Sequence, residues 1–331
     1  MLFTLERVFP VIFFQNLFLN SKNLTRLLFQ YIILLFSFLL FLSLLSQAQA
    51  KDFTQTQRII STSPSITEIL FELGLKDRIV AVTDFCIFPK EACILPSIGG
   101  VLNPDIETMV SLSPDLIILQ SDSVKLEKNF ARLGIPTFSI KVETISDIFK
   151  SINRLGKALN CQERGDKLVL SLKEKINILK KRVAGRSRKK VLLLLGDSSN
   201  PARDLYAVGP GTFLNELLIL SGGKNILQNS KAQYPKLLKE YIIEQSPEII
   251  IEVGPKSDLS KKEISYRIEQ WNRFPTIKAI KDKRIHFIGE DYILIPGPRL
   301  VKILEKFTKI IHPDLSHSQV DKNSFQDNLK P

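Results

Sequence analysis

The chain has 331 residues, of which 44% are hydrophobic and 24% charged, an ordinary globular composition with room for two domains. Its formal net charge is +12, but Lys and Arg are scattered, as in KEKINILKKRVAGRSRKK, rather than interleaved with aromatic residues. No helix-turn-helix, RNP or zinc-finger pattern accompanies this charge. The basic residues therefore indicate a solvated surface, and they exclude nucleic acid as the expected partner.

The first fifty residues predict a secretory signal peptide. A Lys and an Arg precede the apolar run 27–45, and SQAQA follows, with small residues at Ala48 and Ala50. A basic segment, an apolar segment and an A-x-A cleavage site are the three parts of such a signal. We expect residues 1–50 to be removed from an exported protein. An uncleaved membrane anchor is the alternative, since about 19 apolar residues just span a bilayer.

Export affects the interpretation of the cysteines. Cys86 and Cys93 are close neighbours in DFCIFPKEAC, and an oxidising compartment permits them to pair. A disulfide between them is one possibility and two free thiols the other, with Cys161 left over. No metal site is predicted, because the cysteines and the three His residues do not have the spacing of a metal centre.

Short apolar runs alternate with helical patterns in residues 57–142, the first predicted lobe. RIIS (58–61) predicts a strand, and SPSITEILFELG predicts a helix capped by Ser63 and stopped at Gly74. Further strands are predicted at RIVAV (78–82), DLIIL (115–119) and PTFSI (136–140), with a helix at LEKNFARLG. This alternation predicts a parallel sheet with helices on its faces.

A long helical pattern, assigned to residues 143–184, separates this lobe from a second one. Apolar residues keep a spacing of three and four from Ile145 to Leu179, which predicts one helix of up to about 38 residues, with a break near Asn160 allowed. A helical connection between the lobes resists the wide hinge closure that flexible linkers permit.

Strands resume in residues 188–312, the second predicted lobe. The strand patterns are KKVLLLLG (189–196), EIIIEV (248–253) and RIHFIG (284–289), and GTFLNELLILSGG predicts a helix with a Gly stop. The polar tail, residues 313–331, is predicted to be disordered. The fold class is therefore α/β, with two lobes joined by one long helix.

One phrase occurs once in each lobe, as DIETMVSLSPDLIIL (105–119) and LKEYIIEQSPEIIIE (238–252). In each, a Glu (Glu107, Glu240) stands seven residues ahead of a Pro, a Ser precedes the Pro, and a run of Ile and Leu follows. Two lobes related by a pseudo-twofold axis would each present a Glu at the matching surface position. The alternative is that such helix–Pro–strand phrases recur by chance in α/β proteins.

With these elements in place, the chain resembles the periplasmic cobalamin-binding components of ABC importers, in the helical-backbone class that also serves iron-siderophores and haem. The resemblance covers about residues 58–311 and rests on the order and spacing of short phrases. They include RIISTSPSITEILFELG, VTDFCIFPKEA, IGGVLNPDIETMVSLSPDLII, GPGTFLNELLILSGGKNI, YPKLLKEYIIEQSPEIII and PGPRLVKILEKF. The resemblance implies two Rossmann-like lobes with central parallel sheets, joined by one long backbone α-helix. It implies no catalytic residue and no cofactor, the corrinoid being the transported ligand.

The resemblance also implies roles for individual residues. Glu107 and Glu240 match the positions at which family members dock on arginines of the permease dimer in the inner membrane, and Arg–carboxylate pairs give orientation as well as energy. We expect a periplasmic monomer that holds its ligand between the lobes, at the carboxyl ends of the strands, against aromatic surfaces. The matching ligand-binding positions are Phe85, Tyr206, Tyr234, Asp291 and Tyr292.

The chain departs from this family at two positions that carry Trp in cobalamin binders and are Val101 and Gln120 here. Fewer large rings leave a ferric siderophore or haem as the alternative ligand. Candidate contacts for an anionic siderophore are Arg203 and Arg299, and candidate axial ligands for haem are Tyr206, Tyr234 and Met109.

A remote alternative is a GDS-type hydrolase. VLLLLGDSSN ends a strand in Gly196-Asp197-Ser198, as in the nucleophile block of that class, whose Ser needs a His base oriented by an acid. The nearest late pair, Asp282 and His286, has the wrong spacing, and the block normally opens its domain. A loop over the cleft is the preferred interpretation of GDSSN.

Overall fold

The structure is a computed structural model, and the residues that it describes are 29–37, 53–196, 205–254 and 259–317. The chain divides into two compact units, Met1–Asp52 and Phe53–Pro331. In the first unit, residues 29–37 form a helix with exposed side chains, while the rest of the predicted signal, including the cleavage site, lies outside the described residues. Within the ranges given, no helix is both long enough and apolar enough to cross a membrane.

The first lobe is built on a parallel sheet. Its strands are β1 (Ile59–Ser61), β2 (Ile79–Ala81), β3 (Leu116–Gln120) and β4 (Thr137–Ile140), in the order β2-β1-β3-β4. The intervening helices are α1 (Pro64–Glu72), α2 (Ile106–Ser111) and α3 (Val124–Arg132). β1, β2 and β3 are mostly Ile, Leu and Val, as expected for a parallel sheet covered by helices. The predicted strands and parallel pairing are confirmed.

Two capping residues define α1 as the sequence predicts. The Ser63 side chain accepts a hydrogen bond from the Ile66 amide at the start of the helix, and Gly74 follows its end in a left-handed conformation, with φ of 69°. Arg164, from a later helix, donates to the carbonyl oxygens of Leu73 and Gly74. The end of α1 is therefore tied to the segment that connects the lobes.

The connecting segment consists of two helices, α4 (Ile145–Ala158) and α5 (Gln162–Arg182). The single helix of up to about 38 residues is thus broken, at the place where the sequence allowed it. Asn160 adopts a left-handed conformation, with φ of 59°, which only a few residue types tolerate. A Cβ atom at Gly165 would lie 3.3 Å from the Ile152 carbonyl oxygen and 3.6 Å from the Gly156 Cα, so these glycines allow α4 and α5 to pack closely.

The second lobe contains a six-stranded sheet. Its strands are β5 (Lys189–Leu195), β6 (Leu205–Ala207), β7 (Gly223–Asn225), β8 (Lys236–Leu237), β9 (Ile249–Val253) and β10 (Ile285–Ile288). The order is β10-β9-β5-β6-β8, with β7 also paired to β5. β10, β9, β5 and β7 are parallel, but β6 and β8 are antiparallel to their neighbours. The central strands confirm the predicted parallel sheet, and the added antiparallel strands make the sheet mixed.

The helices of the second lobe are α6 (Phe213–Leu220), α7 (Lys239–Gln245), α8 (Lys261–Trp271), α9 (Lys278–Lys281) and α10 (Leu300–Ile311). The tail is ordered further than predicted, because Pro313–His317 form a 3-10 helix and Asp314 pairs with Arg186. Residues 318–331 lie outside the described part of the chain.

One cluster of buried apolar residues runs through both lobes. It begins around Ile59 and Ile118 in the first sheet, continues through Leu172 in α5, and reaches Val191 and Ile251 in the second sheet. A shared core of this kind makes the relative position of the lobes a property of side-chain packing as well as of the chain connection.

Candidate functional site

The two repeated stretches fold as matching helix–turn–strand units, which we call the repeat units (residues 105–119 and 238–252). In the first, α2 leads through Pro114 into β3, and in the second, α7 leads through Pro247 into β9. Glu107 and Glu240 lie in the first turns of these helices with exposed side chains. A helix that returns to the start of a parallel strand begins at the edge where the strands end. Both Glu residues therefore lie toward that edge.

The similarity of the repeat units extends to their neighbouring side chains. Two positions after each Glu, Met109 and Ile242 are buried, and one position later Val110 and Ile243 are exposed. Residues three apart share a face of a helix. Each unit thus presents a carboxylate and an exposed aliphatic side chain side by side.

Two of the predicted ligand residues, Tyr206 and Tyr234, lie near the end of β5. Tyr206 in β6 is paired with Leu195 at that end and with Lys236 in β8. Tyr234 lies just before β8 and precedes Lys236 by two residues. The side chains of Tyr206 and Tyr234 are 53% and 48% exposed, respectively. Burial raises the pKa of Tyr234, and the Glu143 carboxylate adds to that rise, so the phenol remains neutral.

Phe85 occupies the corresponding edge of the first lobe. It follows β2 and is 61% exposed, and Gly100 in the next loop lies close to its ring. Gln120, one of the two positions without Trp, ends β3, and its side-chain amide donates to the Ser63 hydroxyl at 3.1 Å. The structure therefore places Phe85 and Gln120 at the carboxyl ends of the first sheet.

Asp291 and Tyr292 follow β10 and are linked to the first lobe by one arginine. Arg299, just before α10, donates from Nη1 to Asp291 Oδ2 at 2.5 Å. It also forms a bidentate salt bridge with Glu68 in α1, in which Nε donates to Oε2 at 3.0 Å and Nη2 to Oε1 at 2.5 Å. Its guanidinium lies 4.0 Å from the centre of the Phe88 ring and 5.5 Å from that of Tyr292. We call Glu68, Arg299 and Asp291 the Arg299 junction.

Burial governs the protonation of this junction. The side chains of Glu68 and Arg299 are 2% and 8% exposed. Burial raises the pKa of Glu68, and the hydrogen bond and charge of Arg299 offset only part of the rise. Burial lowers the pKa of Arg299, but its bonds to Glu68 and Asp291 raise it by more. Burial therefore disfavours the charged form of Glu68, while the two neighbouring carboxylates favour the charged form of Arg299.

The sequence contains only a weak signal for the junction. Glu68 and Phe88 were not predicted to have a role, and Arg299 was considered only as a siderophore contact. The junction joins positions 231 residues apart, and such a separation leaves no periodic or motif signal. The only available signal was the presence of an acid inside an otherwise apolar helix, ITEILFE.

Cys86 and Cys93 are both free cysteines in the structure, the second of the two possibilities that the sequence left open. Cys86 is buried, and its sulfur accepts a hydrogen bond from the Thr67 hydroxyl at 3.2 Å. Burial raises the pKa of the Cys86 thiol, which disfavours the reactive thiolate. Cys93 is exposed and contacts the Ile87 carbonyl oxygen.

A cavity of about 620 Å³ lies between α4, α5 and α6, with Phe149, Lys173 and Glu216 in its wall. None of the predicted ligand-binding residues lines it. It is a groove between helices.

Most of the remaining candidates cannot be placed. Asp197, Ser198 and Arg203 lie outside the described residues. His286 is in β10, as predicted, and burial next to Arg284 lowers its pKa. The described ranges contain no group of His, Cys, Asp and Glu side chains that could hold a metal ion.

Comparisons with known proteins agree with this arrangement. The family model described as periplasmic binding protein matches residues 59–292. The chain is 28% identical over 265 residues to an uncharacterized ABC transporter substrate-binding lipoprotein of Bacillus subtilis (strain 168), covering 78% of this chain and 81% of that protein. It is 26% identical over 261 residues to the vitamin B12-binding protein of Vibrio parahaemolyticus serotype O3:K6, covering 77% and 90%, respectively.

A solved structure shows the same fold. A periplasmic heme binding protein from Pseudomonas aeruginosa superposes with a TM-score of 0.68 at 20% identity, covering 78% of this chain and 93% of that one. The likeness is one of fold. The chain belongs to the periplasmic binding protein family.

Proposed function

We propose that this chain captures cobalamin or a related corrinoid between its lobes and delivers it to the permease of an ABC importer. The observation that carries the proposal is the set of aromatic side chains at the strand ends of both lobes. Phe85, Tyr206 and Tyr234 are about half exposed or more, although large rings are normally buried on folding. A corrinoid offers broad apolar faces that such rings can cover.

Polar groups at the same edge would fix the orientation of the ligand. A corrinoid carries amide groups around its rim, and these donate hydrogen bonds to carboxylates. Asp291 is about one-third exposed, and Arg299 occupies its Oδ2 atom. Its remaining lone pairs are available to an amide. Burial raises the pKa of the Tyr292 phenol, with neighbouring acids adding to the rise, which keeps it a neutral hydrogen-bond donor.

The repeat units supply the surface for the permease. Glu107 and Glu240 each stand beside an exposed aliphatic residue, and the two-fold repetition of this pair fits a partner made of two equivalent subunits. Arginine is the expected counterpart, since it pairs with carboxylates in a defined geometry. The proposal includes a periplasmic monomer that binds its ligand non-covalently and catalyses no reaction. This is in keeping with the relatives, which are named as binding proteins.

The alternative ligand is haem or a ferric siderophore. The structure shows which of the residues considered for these ligands are accessible. Arg299 is engaged by two carboxylates, so it has little to offer an anionic siderophore. Met109 is fully buried and cannot reach a haem iron. Tyr206 and Tyr234 remain exposed, and either phenol could serve as an axial ligand. Among the described candidates, the tyrosines therefore favour haem, while Arg203 lies outside the described residues.

Calorimetric titration of the purified protein with cyanocobalamin, haem and a ferric siderophore tests the ligand class. We expect saturable one-to-one binding of cyanocobalamin. Heat is preferable to fluorescence as the signal, because Trp271 is buried in the second lobe and packs against Phe274. Saturable binding of haem alone would replace the corrinoid by the alternative, and no binding of any probe would contradict the ligand class.

A pair of tyrosine variants locates the site. Tyr206→Ala should weaken cyanocobalamin binding about tenfold, the effect of losing one central aromatic contact. Tyr266→Ala is the matched control, since Tyr266 is equally exposed but lies in the middle of α8. Equal affinities in the two variants would contradict the placement of the ligand at the strand ends.

A further inference from the structure

We propose that Arg299 is a positioning residue, which fixes the angle between the lobes and aims Asp291 at the ligand. The first part concerns the protein alone, and the second part rests on the proposed function. The proposal starts from the origin of the groups that Arg299 contacts. Glu68 and Phe88 belong to the first lobe, whereas Asp291 and Tyr292 belong to the second. The Arg299–Glu68 pair joins residues that are 231 positions apart in sequence.

The burial of the junction makes separation of the lobes unfavourable. Glu68 and Arg299 are almost completely removed from water, and a buried charge is tolerated only with its partner in good geometry. Opening the cleft would pull one charge away from the other before water could replace it. The lobes are therefore held at the angle at which the bidentate salt bridge is intact.

The geometry of the guanidinium extends this constraint to the ligand site. Its donors form a rigid planar fork, so Nη1, which holds Asp291, has a fixed direction relative to Nε and Nη2, which hold Glu68. The ring of Phe88 at 4.0 Å covers one face of the same plane. Asp291, although it belongs to the second lobe, is thus oriented by groups of the first.

A second buried ion pair provides an internal control. Arg267 in α8 pairs with Glu252 in β9, and both side chains are as well buried as those of the junction. Both residues belong to the second lobe. Breaking this pair should affect stability by the same physics, but it should leave the angle between the lobes unchanged.

The test separates positioning from stability by replacing each ion pair with apolar residues. Arg299→Met alone leaves Glu68 buried without its partner and should lower the thermal midpoint by about 10 °C. The double variant Glu68→Leu/Arg299→Met removes both charges and should recover most of that loss, because packed apolar side chains often replace a buried ion pair without cost. Asp291 is partly solvated and tolerates the change.

Two measurements then report the position of the lobes rather than the stability of the protein. Pulsed electron paramagnetic resonance measures the distance between the lobes. It uses spin labels at Cys93 in the first lobe and at Lys239→Cys in the second, in a Cys161→Ser background. Calorimetry reports cyanocobalamin affinity. We expect the junction double variant to broaden the distance distribution and to weaken binding roughly tenfold. The control Glu252→Leu/Arg267→Met should match the unmodified protein in both.

The outcomes distinguish this proposal from the proposed function. A narrow, unchanged distance distribution together with full affinity in the stable double variant would overturn the positioning role. If the unmodified protein does not bind cyanocobalamin, the proposed function fails, and the distance measurement still decides whether Arg299 fixes the lobes. If the double variant does not fold, Glu68→Gln replaces it. This variant keeps the shape of the side chain and should broaden the distribution to a smaller extent, and an unchanged distribution would again overturn the proposal.

Discussion

The two repeat units share a backbone, but their helices begin differently. In both, the serine before the proline adopts a left-handed conformation, with φ of 46° at Ser113 and 41° at Ser246. In the first unit, the Asp105 side chain accepts hydrogen bonds from the amides of Glu107 and Thr108. In the second, Leu238 occupies the cap position and provides no side-chain bond. The two units agree in their turn and in the placement of Glu, and they differ in how the helix is stabilised.

The second helix has a tertiary replacement for the missing cap. The Tyr241 hydroxyl in α7 donates to the Ile226 carbonyl oxygen at 2.9 Å, and Ile242 is buried. A helix of this length is marginal by itself, so packing has to stabilise it. The comparison teaches that the position of the Glu is what the units have in common, while the source of local stability differs between them.

Charge reversal at both units should have the largest effect. We expect Glu107→Lys/Glu240→Lys to abolish uptake of cyanocobalamin into vesicles that contain the permease. Each lobe would then present a lysine to the arginine that we propose on the permease, and the two positive charges would repel each other. Ligand affinity should remain intact, since both residues lie on the repeat units and not among the predicted ligand residues.

The control reverses two exposed Glu residues outside the repeat units, Glu127→Lys/Glu269→Lys, one in each lobe. It changes net charge equally and should preserve uptake. A loss of ligand affinity in the repeat-unit variant, or equal loss of uptake in the control, would contradict the division of roles.

Removing the cap should affect only the first unit. Asp105→Ala eliminates the acceptor for the amides of Glu107 and Thr108 and should cost about 1 kcal/mol in the free energy of unfolding, as measured by urea denaturation. Ser123→Ala is the matched control, because Ser123 caps α3 without a side-chain bond and its removal should cost close to nothing. Equal losses would mean that the Asp105 bonds do not stabilise α2.

Much of the fold followed from local patterns. Runs of Ile and Leu predicted the central strands because they are buried on both faces, and Ser63 and Gly74 marked the ends of α1. The strands β6, β7 and β8 were missed, since two or three residues give no alternation to detect. The sequence left the Cys86–Cys93 disulfide open, because proximity along the chain does not show that Cys86 is buried and Cys93 exposed.

The site was less predictable than the fold. The roles of Glu107, Glu240 and the aromatic residues came from resemblance to a family and remain predictions, since their spacing alone fits ordinary surface and core positions equally well. The structure adds the exposure of the rings and the Arg299 junction. A buried contact between Glu68 and Arg299 arises from tertiary packing, so no single segment of the sequence contains it.

Lowering the pH should destabilise the second lobe before the first. His286 and His312 both lie in the second lobe, whereas the described first lobe, residues 53–142, contains no His. Burial lowers the pKa of His312, with Arg186, Lys189 and Arg284 acting in the same direction and Asp314 opposing them. The unfolded chain, with an ordinary His pKa of about 6.5, then binds the proton more readily than the folded one.

The free energy of unfolding should therefore be highest above pH 6.5 or so and fall as the pH drops toward the folded pKa of His312. Hydrogen exchange at pH 7.5 and 5.5, corrected for intrinsic rates, should show the loss of protection in the second sheet before the first. His312→Gln should reduce the pH dependence. Equal loss of protection in both sheets would contradict this assignment.

The smallest expected effect compares the two left-handed serines. Ser113→Gly relieves a left-handed strain of about 1–2 kcal/mol and makes the unfolded chain more flexible, which leaves a net gain of about 0.5 kcal/mol. Ser246→Gly relieves the same strain, but the Ser246 hydroxyl also accepts a hydrogen bond from the Lys278 amide at 3.1 Å, so its net effect should be close to zero. Urea denaturation of both variants measures the difference. Equal gains would mean that the bond to Lys278 contributes nothing, and a loss at Ser113 would mean that its side chain stabilises the turn in a way that the backbone angle alone does not indicate.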